Sequence, residues 1–253
     1  MSQKVLITAA ASGIGLEIAR AFSAAGAKVF ITDINTQALE AAKKEMPGVL
    51  TKVCDNSKRA DIEAMVPAAV EALGGLDVLV NNAGISGPTA PVEEIDPDKW
   101  EAVMAVDLTG TFNVTRLAIP HLKKSAAGSI IVMSSLGGRF GYPNRSPYNV
   151  AKAGLIGFAK TLAIELGDHS IRANAIAPGA VGGQRMENVL QGRAKAEGKS
   201  VEEERASMLS IQSLKQFVDP KDIASLCVFL TSDAGKSISG QVIPIDNGAL
   251  KAS

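Results

Sequence analysis

Along the chain, short runs of β-branched and other apolar residues alternate with longer stretches whose apolar positions recur every three or four residues. The short runs are KVLIT from Lys4, KVFITD from Lys28, VLTKVCD from Val49 and LDVLVNNAG from Leu76. They continue with GSIIVMSS from Gly128, IRANAIAPG from Ile171 and QVIPID from Gln241. Continuous apolar runs of this length suit strands buried on both faces. Between them, Leu16, Ala19, Phe22 and Ser23 share one side of a predicted helix, and Ile62, Met65, Val66 and Ala69 share one side of another. Strands alternating with helices imply right-handed βαβ units. The expectation is an α/β fold: an open parallel sheet of about seven strands with helices on both sides. One segment breaks the rhythm. From Gly182 to Gln216 the chain is polar, with EGKSVEEERASM at its heart. It predicts one or two amphipathic helices outside the sheet, serving as a substrate lid or as a plain solvated insertion.

Composition narrows the class. The 253 residues are 46% hydrophobic, enough for a core, and no linker or low-complexity stretch divides residues 1–253, so a single domain is expected. The 26 basic and 26 acidic residues cancel, and no basic tract with interleaved aromatics appears, which argues against nucleic acid as a partner. Cys54 and Cys227 are far apart and outside any CxxC pair, so neither a disulfide framework nor a metal site is expected, and the setting reads as a reducing cytoplasm. Glu17 and Arg20 interrupt the first apolar stretch, unlike an exported leader. No run approaches the ~18 apolar residues that would span a membrane. A soluble, cytoplasmic protein follows as the expectation.

Two constellations carry chemistry. TAAASGIG, residues 8–15, lies between the first strand and the first helix. Glycines there let backbone approach a pyrophosphate, and the helix N-terminus offers N–H donors and a positive dipole end, so Ser12, Gly13, Ile14 and Gly15 are candidate cofactor ligands. Eighteen residues after Gly15, the second strand ends in Asp33, where a carboxylate grips ribose hydroxyls and repels a 2′-phosphate. Its neighbours Ile34 and Asn35 offer no cation to rescue NADP, so NAD is favoured; the competing reading is that Asp33 caps the second helix. The second constellation is Ser134 and Ser135 at the end of GSIIVM, followed by Tyr148 and, four residues on, Lys152. Ser146 and Pro147 read as an N-cap and first helical residue, which sets Tyr148 and Lys152 on one helix face. A phenol ionises near pH 10 in water, so service as a base near pH 7 needs ~3 units of help, roughly 4 kcal/mol. An adjacent ammonium and an oxidised nicotinamide supply such help. Ser135 then holds the substrate oxygen, and Lys152 also reaches the nicotinamide ribose.

With these residues, the chain resembles the short-chain dehydrogenase/reductase family over essentially its whole length. The matching pieces are TAAASGIG, Asp33, Asp55, NNAG at 81–84, SS at 134–135, YNVAK at 148–152 and PG at 178–179. The resemblance implies a Rossmann-type doubly wound sheet, hydride transfer between nicotinamide and a carbinol or carbonyl carbon, and a homotetramer. It also implies cofactor contacts from Asp55, Asn81, Ala83, Gly84, Tyr148, Lys152, Pro178 and Gly179, with Ser135, Tyr148 and Lys152 as catalytic residues. Three positions depart from the family pattern. Ala9 stands where the first motif glycine is usual, tolerable if φ is negative there. Asp107 stands where an asparagine supports a water-linked proton route to the lysine, so it joins the catalytic set as an acceptor that cannot donate like an amide. Gly183 stands where a threonine binds the carboxamide, with backbone groups or Gln184 as substitutes. Ala153, Gly154 and Gly157 suit close packing against either a partner subunit or the chain's own sheet, and His121 and His169 read as structural.

The substrate side is less defined. LGGRFGYPNRSP, between Ser135 and Tyr148, is placed to line the pocket. Arg145 and Arg139 there, with Arg185 and Arg193 in the lid, are candidate anion binders because a guanidinium grips a carboxylate bidentately. The bland alternative is four surface or oligomer-contact charges. The NR ahead of the tyrosine, together with TAAASGIG, is similar to the cytosolic 3-hydroxybutyrate-oxidising branch of that family. The expectation is an NAD-dependent oxidation of a small secondary alcohol, a hydroxy acid first. Sugar or polyol oxidation and 3-oxoacyl thioester reduction are the alternatives, and a non-catalytic nucleotide-binding scaffold the remote one.

Overall fold

All seven apolar runs form strands, and they lie parallel in one sheet in the order β3-β2-β1-β4-β5-β6-β7. A computed structural model describes residues 2–249, apart from the side chains of Arg185 and Ala196. The strands are β1 (Lys4–Ile7), β2 (Lys28–Asp33), β3 (Leu50–Val53), β4 (Val78–Asn81), β5 (Ser129–Met133), β6 (Arg172–Pro178) and β7 (Val242–Ile245). The helices are α1 (Gly13–Ala24), α2 (Thr36–Glu45), α3 (Arg59–Leu73), α4 (Pro97–Val103), α5 (Gly110–Leu122), α6 (Ser146–Glu165), α7 (Gln184–Glu197), α8 (Val201–Ser210) and α9 (Pro220–Thr231). A single π-helical turn, Met104–Thr109, joins α4 to α5.

Two cores form because successive strand side chains point to opposite faces. Val5 and Ile7 pack with Ile18, Phe22, Ile223 and Cys227 on the α1/α9 face. Leu6 and Leu79 pack with Ile62, Met65, Val114 and Leu155 on the α3/α5/α6 face. The chain winds outward from β1 to β3, then crosses back so that β4 lies on the other side of β1. That reversal opens a crevice at the carboxyl ends of β1 and β4, the usual ligand position in such sheets. The polar segment forms α7 and α8 outside the sheet. Ser200 and Glu203 close a capping box at the start of α8, and Arg205–Glu187 at 2.6 Å ties the two helices together.

Two local expectations need correction. Ala9 has φ of 50°, in the left-handed region, where a negative value was the condition for tolerating its methyl. The turn from β1 into the loop requires that conformation whichever residue occupies it, and for alanine it costs about 1–2 kcal/mol. Helix α6 begins one residue earlier than its sequence signals suggest. Arg145 is the N-cap and Pro147 lies within the first turn, while the Ser146 hydroxyl caps nothing. Tyr148 and Lys152 still stand one turn apart. Of the small α6 residues, Gly154 faces Leu108 in this chain's own π turn, and Ala153 and Gly157 are exposed.

Candidate active site

The crevice is a cavity of about 500 Å³ that runs from the β1–α1 loop to Tyr148 and on to α7 and α8. At the loop end, the Ser12 hydroxyl makes no cap bond to the first turn of α1, so amides there point outward. Gly15 allows the close approach: a Cβ on it would lie 2.6 Å from the Ala9 carbonyl oxygen and 2.6 Å from Asn82 Nδ2. Asn82 Nδ2 donates to the Ala9 carbonyl at 2.8 Å and the Thr8 carbonyl at 3.1 Å. Thr8 Oγ1 in turn accepts from the Asn82 and Ala83 amides at 3.0 and 3.1 Å. The two strand ends are thus laced together under the helix N-terminus, a geometry that fits a pyrophosphate. Asp33 sits on the same wall, its Oδ2 accepting from the Ala11 amide at 3.1 Å and its Oδ1 from the Asn35 amide at 3.0 Å. It is not the cap of α2, because Asn35 fills that role by accepting from the Ala38 amide.

At the other end, β5, α6 and the π turn bring the reacting groups together. Ser134 Oγ donates to the Lys152 carbonyl at 2.7 Å, and Lys152 Nζ donates to the Met133 carbonyl at 3.2 Å, so strand β5 holds the lysine by both ends. Lys152 is 4% exposed. Its Nζ lies 5.7 Å from the centre of the Tyr148 ring. The Arg145 guanidinium is stacked over the same ring at 5.1 Å, while its Nη2 donates to the Ser86 carbonyl at 2.8 Å. Ser135 Oγ accepts from the Gly137 amide at 3.2 Å, which leaves its own proton to donate to a ligand oxygen. Asp107, fully buried, accepts the Ile85 amide on Oδ1 at 2.7 Å and places Oδ2 3.3 Å from Lys152 Nζ. That last contact is electrostatic rather than an aligned hydrogen bond, for Oδ2 accepts none.

The cavity gathers most of the sequence-predicted set. Ser12, Gly13, Ile14, Gly15, Asp33, Gly84, Ser135, Arg145, Tyr148, Lys152, Pro178, Gly179 and Arg193 all line it. Asn81 and Ala83 do not: Asn81 turns to the opposite face of β4 and donates to Thr115 Oγ1 at 2.9 Å, and Ala83 is buried beneath the loop. Asp55 also lies outside the cavity, accepting from the Ser57 amide and hydroxyl, which hold its carboxyl below the usual range. Arg139 is a correction on the substrate side. It faces Asp246 at 3.5 Å and the Phe140 ring, away from the cavity. The Arg185 side chain lies outside the described residues. Gly183 lines the cavity at φ of 128°, and Gln184 beside it turns its amide to Asn188 at 3.1 Å.

Several lining residues were not singled out from the sequence. Tyr142 faces both Arg145 and Arg193 electrostatically, and burial, with Tyr148 adding, pushes its phenol up to about 12. Asn82 rather than Asn81 reaches the loop. Met186, Val189, Met208 and Ile211 give the α7–α8 side an apolar wall. Only helical spacing within α7 and α8 could have signalled that wall, and their overall polarity hid it.

Comparison with known proteins is consistent along the whole chain. A family model described as enoyl-(acyl carrier protein) reductase matches residues 8–249. The D-beta-hydroxybutyrate dehydrogenase of Cupriavidus necator is 38% identical over 248 residues, 96% of either chain. The 3-oxoacyl-(acyl-carrier-protein) reductase of Thermotoga maritima is 39% identical over 247 residues, again 96% of each. Among solved structures, an actinorhodin polyketide ketoreductase with NADPH aligns with a TM-score of 0.93 at 31% identity, covering 97% of this chain and 96% of that one. An NAD+-bound xylitol dehydrogenase aligns with a TM-score of 0.92 at 28% identity, covering 97% and 98%.

Proposed function

The chain belongs to the short-chain dehydrogenase/reductase family, whose nicotinamide-dependent members act on secondary alcohols, and on that premise we propose that it oxidises a small hydroxy acid with NAD. The observation that carries this reading is the shared cavity. Ser135, Tyr148, Lys152 and Arg145 line the same space as Asp33 and the glycine loop. The α1 amides at Gly13 to Gly15, with Ser12, would hold the pyrophosphate, Asp33 the adenine ribose, and Lys152 the nicotinamide ribose. The bound nicotinamide supplies the hydride acceptor. Ser135 donates its hydroxyl proton to the substrate oxygen, and Tyr148 as phenolate removes the carbinol proton. Asp33 favours NAD because its carboxylate repels a 2′-phosphate and no cation adjoins it in sequence.

A carboxylate is favoured on the substrate because two guanidinium groups, Arg145 and Arg193, line the cavity, the latter paired with Glu204 at 3.5 Å, and the hydroxybutyrate dehydrogenase likeness points the same way. Helices α7 and α8 act as the lid over it. The outward faces of α5 and α6 expose Phe112, Val150 and Ile164, which suits burial in a homotetramer. Among the described residues no helix is long and apolar enough to cross a membrane, in keeping with work in the cytoplasm.

The test is reduction of NAD across a panel of hydroxy acids, polyols and sugars, with Tyr148→Phe as the blank. Turnover of at least one hydroxy acid, reduced ~10²–10⁴-fold in Tyr148→Phe, is expected. Activity confined to polyols or sugars would overturn the hydroxy-acid reading. Full activity in Tyr148→Phe would overturn the mechanism.

A further inference from the structure

The family pattern sets an amide where this chain sets a carboxylate, and the structure shows what that charge does. Asp107 is fully buried, Lys152 nearly so, and their charged atoms are 3.3 Å apart. A carboxylate so removed from water persists as an ion only with a partner, and Lys152 together with the Ile85 amide at 2.7 Å provides it. Gly84 makes the pairing possible: a Cβ there would sit 2.8 Å from Lys152 Nζ and 3.1 Å from Asp107 Oδ2. The lysine that faces the Tyr148 ring is therefore half of a neutral pair.

We propose that Asp107 is a positioning residue that sets the pH at which Tyr148 becomes a base, by neutralising the Lys152 ammonium. An ammonium beside a phenol favours the phenolate; one already matched by a carboxylate favours it less. The proposal rests on Tyr148 as the base, and it adds a property the rest of the catalytic set does not explain. The charged and titratable groups that face Tyr148 can be named among the described residues. They are Lys152 from α6, Asp107 from the π turn through Lys152, Arg145 from the loop before α6, and Tyr142 from the loop after β5; Arg193 from α7 acts on Tyr142. With Lys152 matched, the Arg145 guanidinium stacked over the ring becomes the cation on which phenolate formation leans. The chain would thus oxidise its substrate best on the alkaline side of neutrality.

The chain's composition supplies a test that needs neither substrate nor cofactor. It has only two tyrosines, so the phenolate step that vanishes when Tyr148 is replaced is that of Tyr148. Ultraviolet titration of the folded protein, with Tyr148→Phe to assign the step, reads it directly. In Asp107→Asn, which keeps an oxygen for the Ile85 amide, that step moves about one pH unit lower, a tenfold gain in phenolate on the rising limb. In a Lys152→Gln background the further change Asp107→Asn leaves the step where it is, because no ammonium remains beside Tyr148 for a carboxylate to match. A step that stays put in Asp107→Asn, or moves up, overturns the proposal. Should that variant not fold, the carboxyl-carbon shift of Asp107 in the unmodified protein decides. It is expected to be that of a carboxylate through neutral pH, and a protonated Asp107 there overturns the proposal. Because nothing here depends on turnover, a wrong substrate class and a wrong role for Asp107 give separate signatures.

Discussion

Ala9 and Asp33 show how far single residues decide the cofactor end. Ala9 pays about 1–2 kcal/mol for its left-handed conformation, and Ala9→Gly removes that strain while loosening the unfolded chain by ~0.4–1 kcal/mol. The net expectation is a gain of roughly 0.5–1 kcal/mol, checked by denaturant unfolding. Asp33 does two things at once, since its carboxylate braces the loop through the Ala11 amide while lining the cavity with charge. Asp33→Ser should shift the NAD-to-NADP ratio of kcat/KM toward NADP by roughly 10–100-fold, on the scale of one desolvated charge contact. An unchanged ratio would remove the basis for choosing NAD. On the substrate side, Arg145→Ala should raise KM for carboxylate substrates about 10–100-fold with a smaller change in KM for neutral alcohols, measured side by side. Spacing made Tyr148 and Lys152 legible, because four residues along a helix is one turn whatever surrounds it. It could not separate Asn81 from Asn82. Adjacent residues at a strand end look alike as letters yet face opposite sides, one toward Thr115 and the other toward the loop. Nor could it place Arg139 beside Asp246, a residue 107 positions away.

The elements that form the site differ in how openly they announce themselves. Strand β5 carries a strong pattern, and the sequence signals found the start of α6 to within one residue. The π turn at Met104–Thr109 carries no such sign, because one extra residue in a helical turn leaves the apolar repeat almost unchanged. Yet that turn delivers Asp107 to Lys152 and Leu108 to Gly154. Its fit against β4 is tight enough to test. Gly84→Ala forces a methyl between Lys152 and Asp107, and activity should fall about 10–100-fold, the scale of a catalytic group displaced by an ångström. Circular dichroism should show the fold retained; unimpaired turnover would mean the pair is not held as described. The polar segment was expected as one or two helices and forms two, α7 and α8. Its exposed Arg205–Glu187 bridge is screened by water and adds little, so the capping box and the apolar wall over the cavity hold it in place.

For the molecule as a whole, the seven strands and the helices on both faces were legible because each buried strand writes itself into an apolar run, whereas the order of the strands was not. Phe22, with no exposure, anchors the α1/α9 core, and Phe22→Ala should cost about 3–5 kcal/mol in an unfolding titration. Both cysteines are buried, and burial pushes the thiols up, Cys54 to about 12 and Cys227 further. Folded protein at neutral pH should therefore resist iodoacetamide, with mass spectrometry detecting two adducts only after denaturation. The side of the cavity lined by Arg145 and Arg193 was less legible than the fold, because it depends on which long side chains turn inward from loops and from α7. That contrast has a historical side. Strand β5 grips Lys152 through its side chain at Met133 and through its backbone at Ser134, and Gly138 packs so closely on the Lys152 carbonyl that a Cβ there would lie 2.6 Å from its oxygen. Descendants of such a chain can exchange α7 and α8 and the residues between Gly138 and Arg145, trading one substrate for another, while the inherited proton chemistry stays in register.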